Sequence, residues 1–313
     1  MIHLRLIVPT GRTDAVCALL RDEPAVVHLA VFPGAARRPD GDLVLCDVAR
    51  EGANQIFDQL LALGVRTDGA IVAQRVDLVL SDTADRAEQV AVGEAEDAVV
   101  WAELDQVTAD GARLSWAFLT YLALATQIAA IGALLDSPIL IVGAMVLGPE
   151  FGPVAAISFG ILFRDWARVR GAVRTLAAGF AFAVAVTFGF AAVSRAIGWI
   201  HAGMLDDRPL TDFIVSPDKY SVIVAVLAGI AGTLALTSGR STTLVGVFIS
   251  VTTVPAAGNL ADALALDRWD EVKGSCLQLG LNLTGMVAAG VATLLVQRAV
   301  WSRYGVRRPA WRS

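Results

Sequence analysis

The residue types that could carry chemistry are concentrated in one apolar stretch, residues 143–153, which reads Gly-Ala-Met-Val-Leu-Gly-Pro-Glu-Phe-Gly-Pro. Proline lacks a backbone N–H and clashes with the preceding helical turn, so Pro149 and Pro153 predict a broken or kinked helix. Glu150 falls inside this predicted break, where a charged side chain would cost roughly 2.5–3.5 kcal/mol to place in a membrane. The candidate site residues of this stretch are Gly143, Gly148, Pro149, Glu150, Gly152 and Pro153.

Two roles for Glu150 follow from this position. Desolvation favours the protonated carboxyl, so Glu150 could take up and release a proton, or bind a cation, during a transport cycle. The alternative is structural: a protonated Glu150 bonded to a carbonyl that the break has freed, or a carboxylate facing a water-filled vestibule. The residue type and its place within an apolar stretch favour a functional site.

A second polar interruption lies at residues 250–259, Ser-Val-Thr-Thr-Val-Pro-Ala-Ala-Gly-Asn. Its candidate residues are Thr252, Thr253, Pro255 and Asn259. The threonine hydroxyls could satisfy carbonyls freed by the proline, or they could line a permeation path, and both interpretations stay open. Asn282 and Gln127 are further candidates for polar lining, although single amides in a helix bundle usually make interhelical hydrogen bonds.

These residues sit in a chain with an unusually apolar second half. The 313 residues are 56% hydrophobic, with mean hydropathy +0.62. About 20 apolar residues span a bilayer. Six stretches reach that length and predict six transmembrane helices, at 116–135, 139–163, 175–194, 220–237, 242–260 and 275–296.

The six predicted spans divide into two halves that align with a constant offset of 103 residues. Each half then holds three spans, and the interrupted span is the middle one of each. Because three is an odd number, the second half would run inverted relative to the first. This pattern predicts a 3+3 inverted repeat with its site where the two broken helices meet.

Arginine and lysine are concentrated in the loops that lie inside if the N-terminus is cytoplasmic. The sequence therefore predicts a multi-pass protein of the inner (plasma) membrane with both termini in the cytoplasm. No signal peptide is recognised at the start of the sequence. Residues 301–313 are expected to form a basic cytoplasmic tail.

The first 82 residues mix charges with short apolar runs and predict a soluble α+β domain. Strands are expected at 2–8, 25–32, 42–49 and 71–80, and helices at 11–23 and 52–64. This βαββαβ order predicts a ferredoxin-like fold. An acidic linker or helix, 83–113, would connect this domain to a six-helix membrane domain, 114–300.

Residues 130–153 resemble a membrane protein family of bacteria and archaea called domain of unknown function 389. The similarity continues through 225–232, Val254-Pro255 and Leu281-Asn282, so it covers most of 116–300. The family's break usually reads Pro-Leu-Met-Gly-Pro, whereas Glu150-Phe151 stands here in place of Leu-Met, and Pro255 is single where a pair is usual. The resemblance implies a helical membrane protein with a cytoplasmic N-terminal domain, and it implies no substrate.

The leading hypothesis is a transporter or channel-like permease for a small solute or ion. The alternative is a membrane-anchored sensor or scaffold whose ferredoxin-like domain binds a small regulatory ligand. An enzyme is not expected, because the sequence has no paired carboxylates, His cluster or Ser/His/Asp grouping. The scattered three Cys and three His predict no metal site and no cofactor. Expected partners are the lipid bilayer, the unidentified solute or ion and a second copy of the chain, with no nucleic acid because the net charge is −5.

Overall fold

The computed structural model describes residues 1–91, 98–206, 208–214, 218–238 and 252–303. The chain divides into two compact units. The first contains Met1–Leu104 together with the end of the described chain from Gln297, and the second contains Asp105–Val296. The first half of the fifth predicted span, and all but the start of the predicted basic tail, lie outside the described residues.

The first unit is built on a four-stranded antiparallel sheet. Its strands follow the order β2-β3-β1-β4 across the sheet. In chain order they are β1 (Ile2–Val8), β2 (Val26–Arg37), β3 (Asp40–Val48) and β4 (Ala70–Arg75). Alternate residues of β1 are fully buried, which explains why its apolar–polar alternation predicted a half-buried strand.

Helices pack on the buried face of this sheet. They are α1 (Thr13–Asp22), α2 (Ala53–Ala62) and the single turn α3 (Val65–Asp68). Val16, Leu20, Ile56 and Leu60 are buried with the inward residues of β1 and β3. The strands and the two longer helices lie close to where the sequence predicts them, with two differences. β2 continues beyond residue 32 to Arg37, and β4 ends at Arg75 and does not continue to residue 80.

The stretch predicted as an acidic linker holds two helices in its described part, α4 (Asp82–Val90) and α5 (Trp101–Gly111). Ser81 begins α4 by accepting a hydrogen bond from the backbone N–H of Ala84. Such a cap satisfies one of the N–H groups that the first helical turn leaves without an acceptor.

Long apolar helices dominate the second unit. Four described helices are long and apolar enough to cross a membrane, and a bent pair would make a fifth span. The four are α6 (Trp116–Leu134), α9 (Trp166–Ala196), α10 (Lys219–Ser238) and α12 (Trp269–Arg303). The bent pair consists of α7 (Pro138–Leu147) and α8 (Phe151–Leu162), which meet at an angle of 53°.

The described end of the fifth predicted span forms α11 (Thr253–Ala265), which is too short to cross a membrane alone. The third and sixth predicted spans, 175–194 and 275–296, are the middle parts of the longer helices α9 and α12. By length and composition, the described residues therefore give four candidate spans, or five if the bent pair is one span, and they do not give all six.

Helix starts recur at a nearly constant separation in the second unit. The starts of α6 and α10 are 103 residues apart, as are those of α9 and α12, and those of α8 and α11 are 102 apart. Arg164 and Asp267, also 103 residues apart, have positive φ angles of 58° and 59° just beyond the ends of α8 and α11. Each of these residues precedes an Asp or Arg and then a Trp that begins the next long helix.

Small residues bring the helices of this unit into close contact. A Cβ atom on Gly258 of α11 would lie 2.7 Å from the backbone N of Ala130 and 2.8 Å from the carbonyl O of Thr126, both on α6. A Cβ on Gly229 of α10 would lie 2.6 Å from the carbonyl O of Met286 on α12. Glycine is needed at these crossings because backbone atoms, which cannot rotate away, occupy the space of a side chain.

We predict that Gly258→Ala lowers the free energy of unfolding of the second unit by about 1–3 kcal/mol, because the added methyl must push α11 away from α6. Thermal unfolding of the protein in nanodiscs measures the effect. Gly280→Ala on α12 is the matched control, since a Cβ there meets nothing within 4 Å. Equal melting temperatures for the two variants would contradict the close crossing of α11 and α6.

Candidate functional site

The break between α7 and α8 consists of Gly148, Pro149 and Glu150. In a continuous helix the Pro149 ring would clash with the carbonyl of Met145, four residues earlier. Here the helix stops, and the Met145 carbonyl accepts a hydrogen bond of 3.3 Å from the Gly148 N–H. Pro149 thus explains the break that the sequence predicts.

Pro153 does not break the helix, contrary to the expectation from sequence. It is the third residue of α8, where a backbone N–H would have no acceptor within the helix. Its ring also meets no helical carbonyl, because the residue four positions earlier, Pro149, lies in the break. Proline is therefore tolerated there, as in the first turn of many helices.

Glu150 is the residue on which α8 begins, and its side chain is buried, with only 5% of the residue exposed. Its Oε1 accepts a 2.5 Å hydrogen bond from the Oγ1 hydroxyl of Thr253. Its Oε2 is buried and has no hydrogen-bond partner among the described residues. Gly148 leaves room for this oxygen, since a Cβ there would lie 2.3 Å from Oε2.

Thr253 is the first residue of α11, so the hydrogen bond to Glu150 joins the starts of two short helices. The preceding residue, Thr252, accepts hydrogen bonds from the side-chain amides of Gln278 (2.8 Å) and Asn282 (2.9 Å) on α12. We name Glu150, Thr252, Thr253, Gln278 and Asn282 the Glu150 cluster. Gln278 contributes a second buried acceptor without a described partner, its Oε1.

The structure places the other candidate residues from the sequence as follows. Pro149 and Gly148 form the break beside Glu150, and Pro153 and Pro255 each stand third in their short helices. Gly152 lies against Gly111, the last residue of α5. Gly143 is exposed on α7, Gln127 is half-buried on α6, and Asn259 belongs to a separate cluster on α11.

Part of this chain is similar to a known protein family. Residues 145–288 match the protein-family model described as Domain of unknown function (DUF389). This part of the chain is similar to the DUF389 family, and the match covers less than half of the 313 residues. The match contains every residue of the Glu150 cluster, and it confirms the resemblance noted in the sequence.

A distant relative supports the match. An uncharacterized protein of Methanocaldococcus jannaschii is 28% identical over 209 residues, which cover 67% of this chain. The aligned part is 61% of the relative, so the chain matches less than two thirds of that protein's length. No solved structure matches the chain.

The matched region, residues 145–288, contains a second buried polar group that sequence reasoning did not identify. Arg208, only 5% exposed, donates to the side chains of Asn259 (2.6 Å) and Glu271 (2.7 Å) and to the carbonyl of Leu205 (3.1 Å). Asn259 in turn donates to Glu271 (2.9 Å) and to Ser275 (3.0 Å). We name Arg208, Asn259, Asp262, Glu271 and Ser275 the Arg208 cluster.

One signal of this cluster was present in the sequence. Glu271, Ser275, Gln278 and Asn282 are spaced 4, 3 and 4 residues apart, which places them on one face of α12. Arg208 gave no such signal, because it reaches α11 and α12 from the segment before α10. Asp136 fixes that segment by accepting hydrogen bonds from the Leu210 N–H (3.2 Å) and the Thr211 hydroxyl (2.8 Å).

The end of α5 closes another side of the break. A Cβ on Gly111 would lie 2.7 Å from the carbonyl O of Gly152. Arg168 of α9 holds this end of α5, because it donates to the Asp105 carboxylate (2.7 Å) and to the Thr108 hydroxyl (2.7 Å). The start of α8 is therefore enclosed by α5 as well as by α11.

We predict that Arg208→Gln lowers the free energy of unfolding by about 3–5 kcal/mol, because it leaves Glu271 buried without its cation. Chemical or thermal unfolding in nanodiscs measures this loss. Arg195→Gln is the matched control: Arg195 pairs with Asp267 at 2.7 Å, but the two side chains are 48% and 68% exposed. That exposed pair should contribute about 1 kcal/mol or less. A loss for Arg208→Gln no larger than for the control would contradict the buried pair.

Proposed function

We propose that the chain is a transporter or channel-like permease for a small solute or ion, with its site at the Glu150 cluster. The observation that carries the proposal is the hydrogen bond from Thr253 to Glu150. It brings a buried carboxyl group, with one oxygen lacking a described partner, to the point where two short helices begin.

Broken helices of this kind are typical of secondary transporters. Non-helical backbone at membrane depth is tolerated only where it is buried in protein or lines a cavity. Transporters use the starts of discontinuous helices, with their partial positive charge, to hold substrates and coupling ions. The starts of α8 and α11 meet through one hydrogen bond, and amide side chains of α12 lie beside them.

The recurrence of helix starts favours two inverted halves. The pairs α6/α10, α8/α11 and α9/α12 begin 102–103 residues apart, and the members of the middle pair supply the two sides of the Glu150 cluster. In the arrangement that we propose, each half crosses the membrane three times and the halves run in opposite directions. The breaks of the two middle spans then meet near the centre of the membrane.

Glu150 would be the proton- or cation-coupling group. Ionised and buried, the carboxylate is costly, since one oxygen has no donor among the described residues. A proton bound at Oε2 removes the charge and so stabilises the arrangement in which Oε2 is buried. Release of the proton would require a conformation in which water or a bound cation reaches Oε2. Such a dependence of conformation on protonation is what couples a proton gradient to transport.

The first unit would be a cytoplasmic ferredoxin-like domain. Its element order and its antiparallel strand order, β2-β3-β1-β4, support this assignment. We place both termini in the cytoplasm and the helices in the inner membrane, following the distribution of Arg and Lys. Pairing of edge strands between two such domains would make the protein a homo-oligomer.

A sensor is the second candidate function, and one observation favours it. In the first unit, Asp47 contacts the Nδ1 atoms of both His3 and His28 at 2.7 Å. His28 has a positive φ of 53°, a strained backbone conformation of the kind found at functional sites. Saturable binding of a small ligand by this unit, without flux through liposomes, would favour the sensor.

We predict that Glu150→Gln abolishes the pH dependence of uptake, because the amide cannot take up or release the proton. Uptake of candidate ions and solutes by proteoliposomes, under imposed pH gradients and with an enclosed pH dye, tests this. Gln is close in size to Glu, so the variant should keep the wild-type melting temperature. Unchanged pH dependence in a folded variant would exclude Glu150 as the coupling group.

Thr253 provides a matched pair of variants for the same assay. Thr253→Ser keeps the hydroxyl that donates to Glu150 and should keep the wild-type pH profile. Thr253→Val removes the donor, which favours the protonated carboxyl, so the midpoint of the profile should move to higher pH. Identical profiles for Ser and Val would show that the hydrogen bond does not affect coupling.

A further inference from the structure

Asp262 is a buried carboxyl group that the Glu150 cluster does not include. It lies on α11, and only 1% of the residue is exposed. Its Oδ2 is buried without a hydrogen-bond partner among the described residues. Within the described part of the second unit, Glu150 and Asp262 are the two carboxyl groups that have such an oxygen.

The charges around Asp262 do not balance if it is ionised. Among the described residues, Arg208 is the charged side chain that acts on Asp262, but its described hydrogen bonds go to Leu205, Asn259 and Glu271. The ion pair of Arg208 with Glu271, at 2.7 Å, is already neutral. An ionised Asp262 would therefore add one uncompensated negative charge to a buried cluster. Proteins usually avoid this cost by binding a proton or a cation.

A proton fits this site better than a metal cation. The guanidinium of Arg208 would repel a metal ion, and the Asn259 oxygen already accepts from Arg208. A proton needs only Oδ2 as its acceptor, and it removes the excess charge completely. The protonated carboxyl then leaves the ion pair of Arg208 and Glu271 undisturbed.

Polar side chains connect the surroundings of Asp262 with those of Glu150. On α11, Thr252, Asn259 and Asp262 are spaced 7 and 3 residues apart and so share one face. On α12, the face that begins at Glu271 continues through Ser275 and Gln278. Hydrogen bonds join the two helices at Asn259–Ser275 (3.0 Å) and Thr252–Gln278 (2.8 Å). The Oε1 of Gln278, in the Glu150 cluster, is buried without a partner among the described residues.

We propose that Asp262 is a second proton-binding site and that its protonation is linked to that of Glu150. The role of this linkage in transport rests on the proposed function above, whereas proton binding itself does not. Thr253, the donor to Glu150, is nine residues before Asp262, about 13 Å along the helix axis. For two buried carboxyl groups about this far apart, ionisation of one raises the affinity of the other for a proton about tenfold.

The step is a transfer of one proton between two carboxyl groups. Asp262 binds a proton from hydronium at Oδ2 and becomes neutral. When it releases the proton to a water molecule, Asp262 regains its negative charge, and the hydronium formed carries the proton. Glu150 takes up a proton at Oε2 and becomes neutral. The total charge of the two carboxyl groups and the moving proton is unchanged.

Labelling with dicyclohexylcarbodiimide tests this proposal, because the reagent forms a stable adduct with protonated carboxyl groups in apolar surroundings. The full-length protein in nanodiscs is labelled over a range of pH, and each adduct is quantified by peptide mass spectrometry. We expect adducts at both Asp262 and Glu150 that decrease as pH rises. No adduct on Asp262 at any pH would overturn the proposal, and this result needs no variant.

Linkage between the two sites is tested with Asp262→Asn. Removing the negative charge should lower the pH midpoint for labelling of Glu150 by about one unit, equivalent to the tenfold loss of proton affinity. Asp267→Asn is the matched control, since this carboxylate lies two residues beyond the end of α11 but is 68% exposed, and Asn tolerates its positive φ. The control should leave the midpoint unchanged.

An unchanged Glu150 midpoint in Asp262→Asn, with wild-type melting temperature, would overturn the linkage. A shift as large in Asp267→Asn would also overturn it, because the effect would then come from surface charge. If both carboxyls titrate and are linked but proteoliposomes show no flux, the proton sites stand and the transport function falls. Flux without labelling of Asp262 would support the transport function and overturn the second proton site.

Discussion

Backbone that leaves a helix among apolar side chains must still satisfy its N–H and C=O groups, and this requirement organises the second unit. Pro149 ends α7 early, so α8 begins inside the protein and not at a surface. The carboxyl of Glu150 lies at this buried start, and the hydroxyl of Thr253 approaches it from the start of α11. The starts of the two short helices are thus neighbours, and neither short helix starts against lipid alone.

Close packing around the breaks depends on glycine, and charge balance depends on α12. Gly258 lets α11 touch the backbone of α6, which sets the distance at which α11 can present its threonines to α8. One face of α12 supplies partners to both polar clusters: Glu271 and Ser275 to one, Gln278 and Asn282 to the other. The two clusters are therefore held by the same pair of helices, and a shift of α12 along α11 would change both.

Local patterns allowed much of this to be predicted from sequence. Alternation in residues 2–8 predicted β1, and Pro149 beside Glu150 predicted the break. Helix ends were less predictable: α9 starts nine residues before its predicted apolar span, because Arg168 is accommodated by Asp105 and Thr108. Asn259 was expected near Glu150, but its side-chain oxygen accepts a hydrogen bond from Arg208 instead. No local pattern connects these two residues, since their contact arises only when a loop folds over α11.

Proline at the third position of both α8 and α11 restricts the backbone donors that these helices can offer. The N–H groups of Val154 and Ala256 already donate to the carbonyls of Glu150 and Thr252. Each helix start can therefore contribute its first two N–H groups at most, so four backbone donors are the upper limit for anything held between them. A tetrahedral oxyanion, with several acceptor oxygens, would exhaust this supply. Discrimination among bound species must then come from side-chain chemistry, which a few substitutions can alter without changing the scaffold.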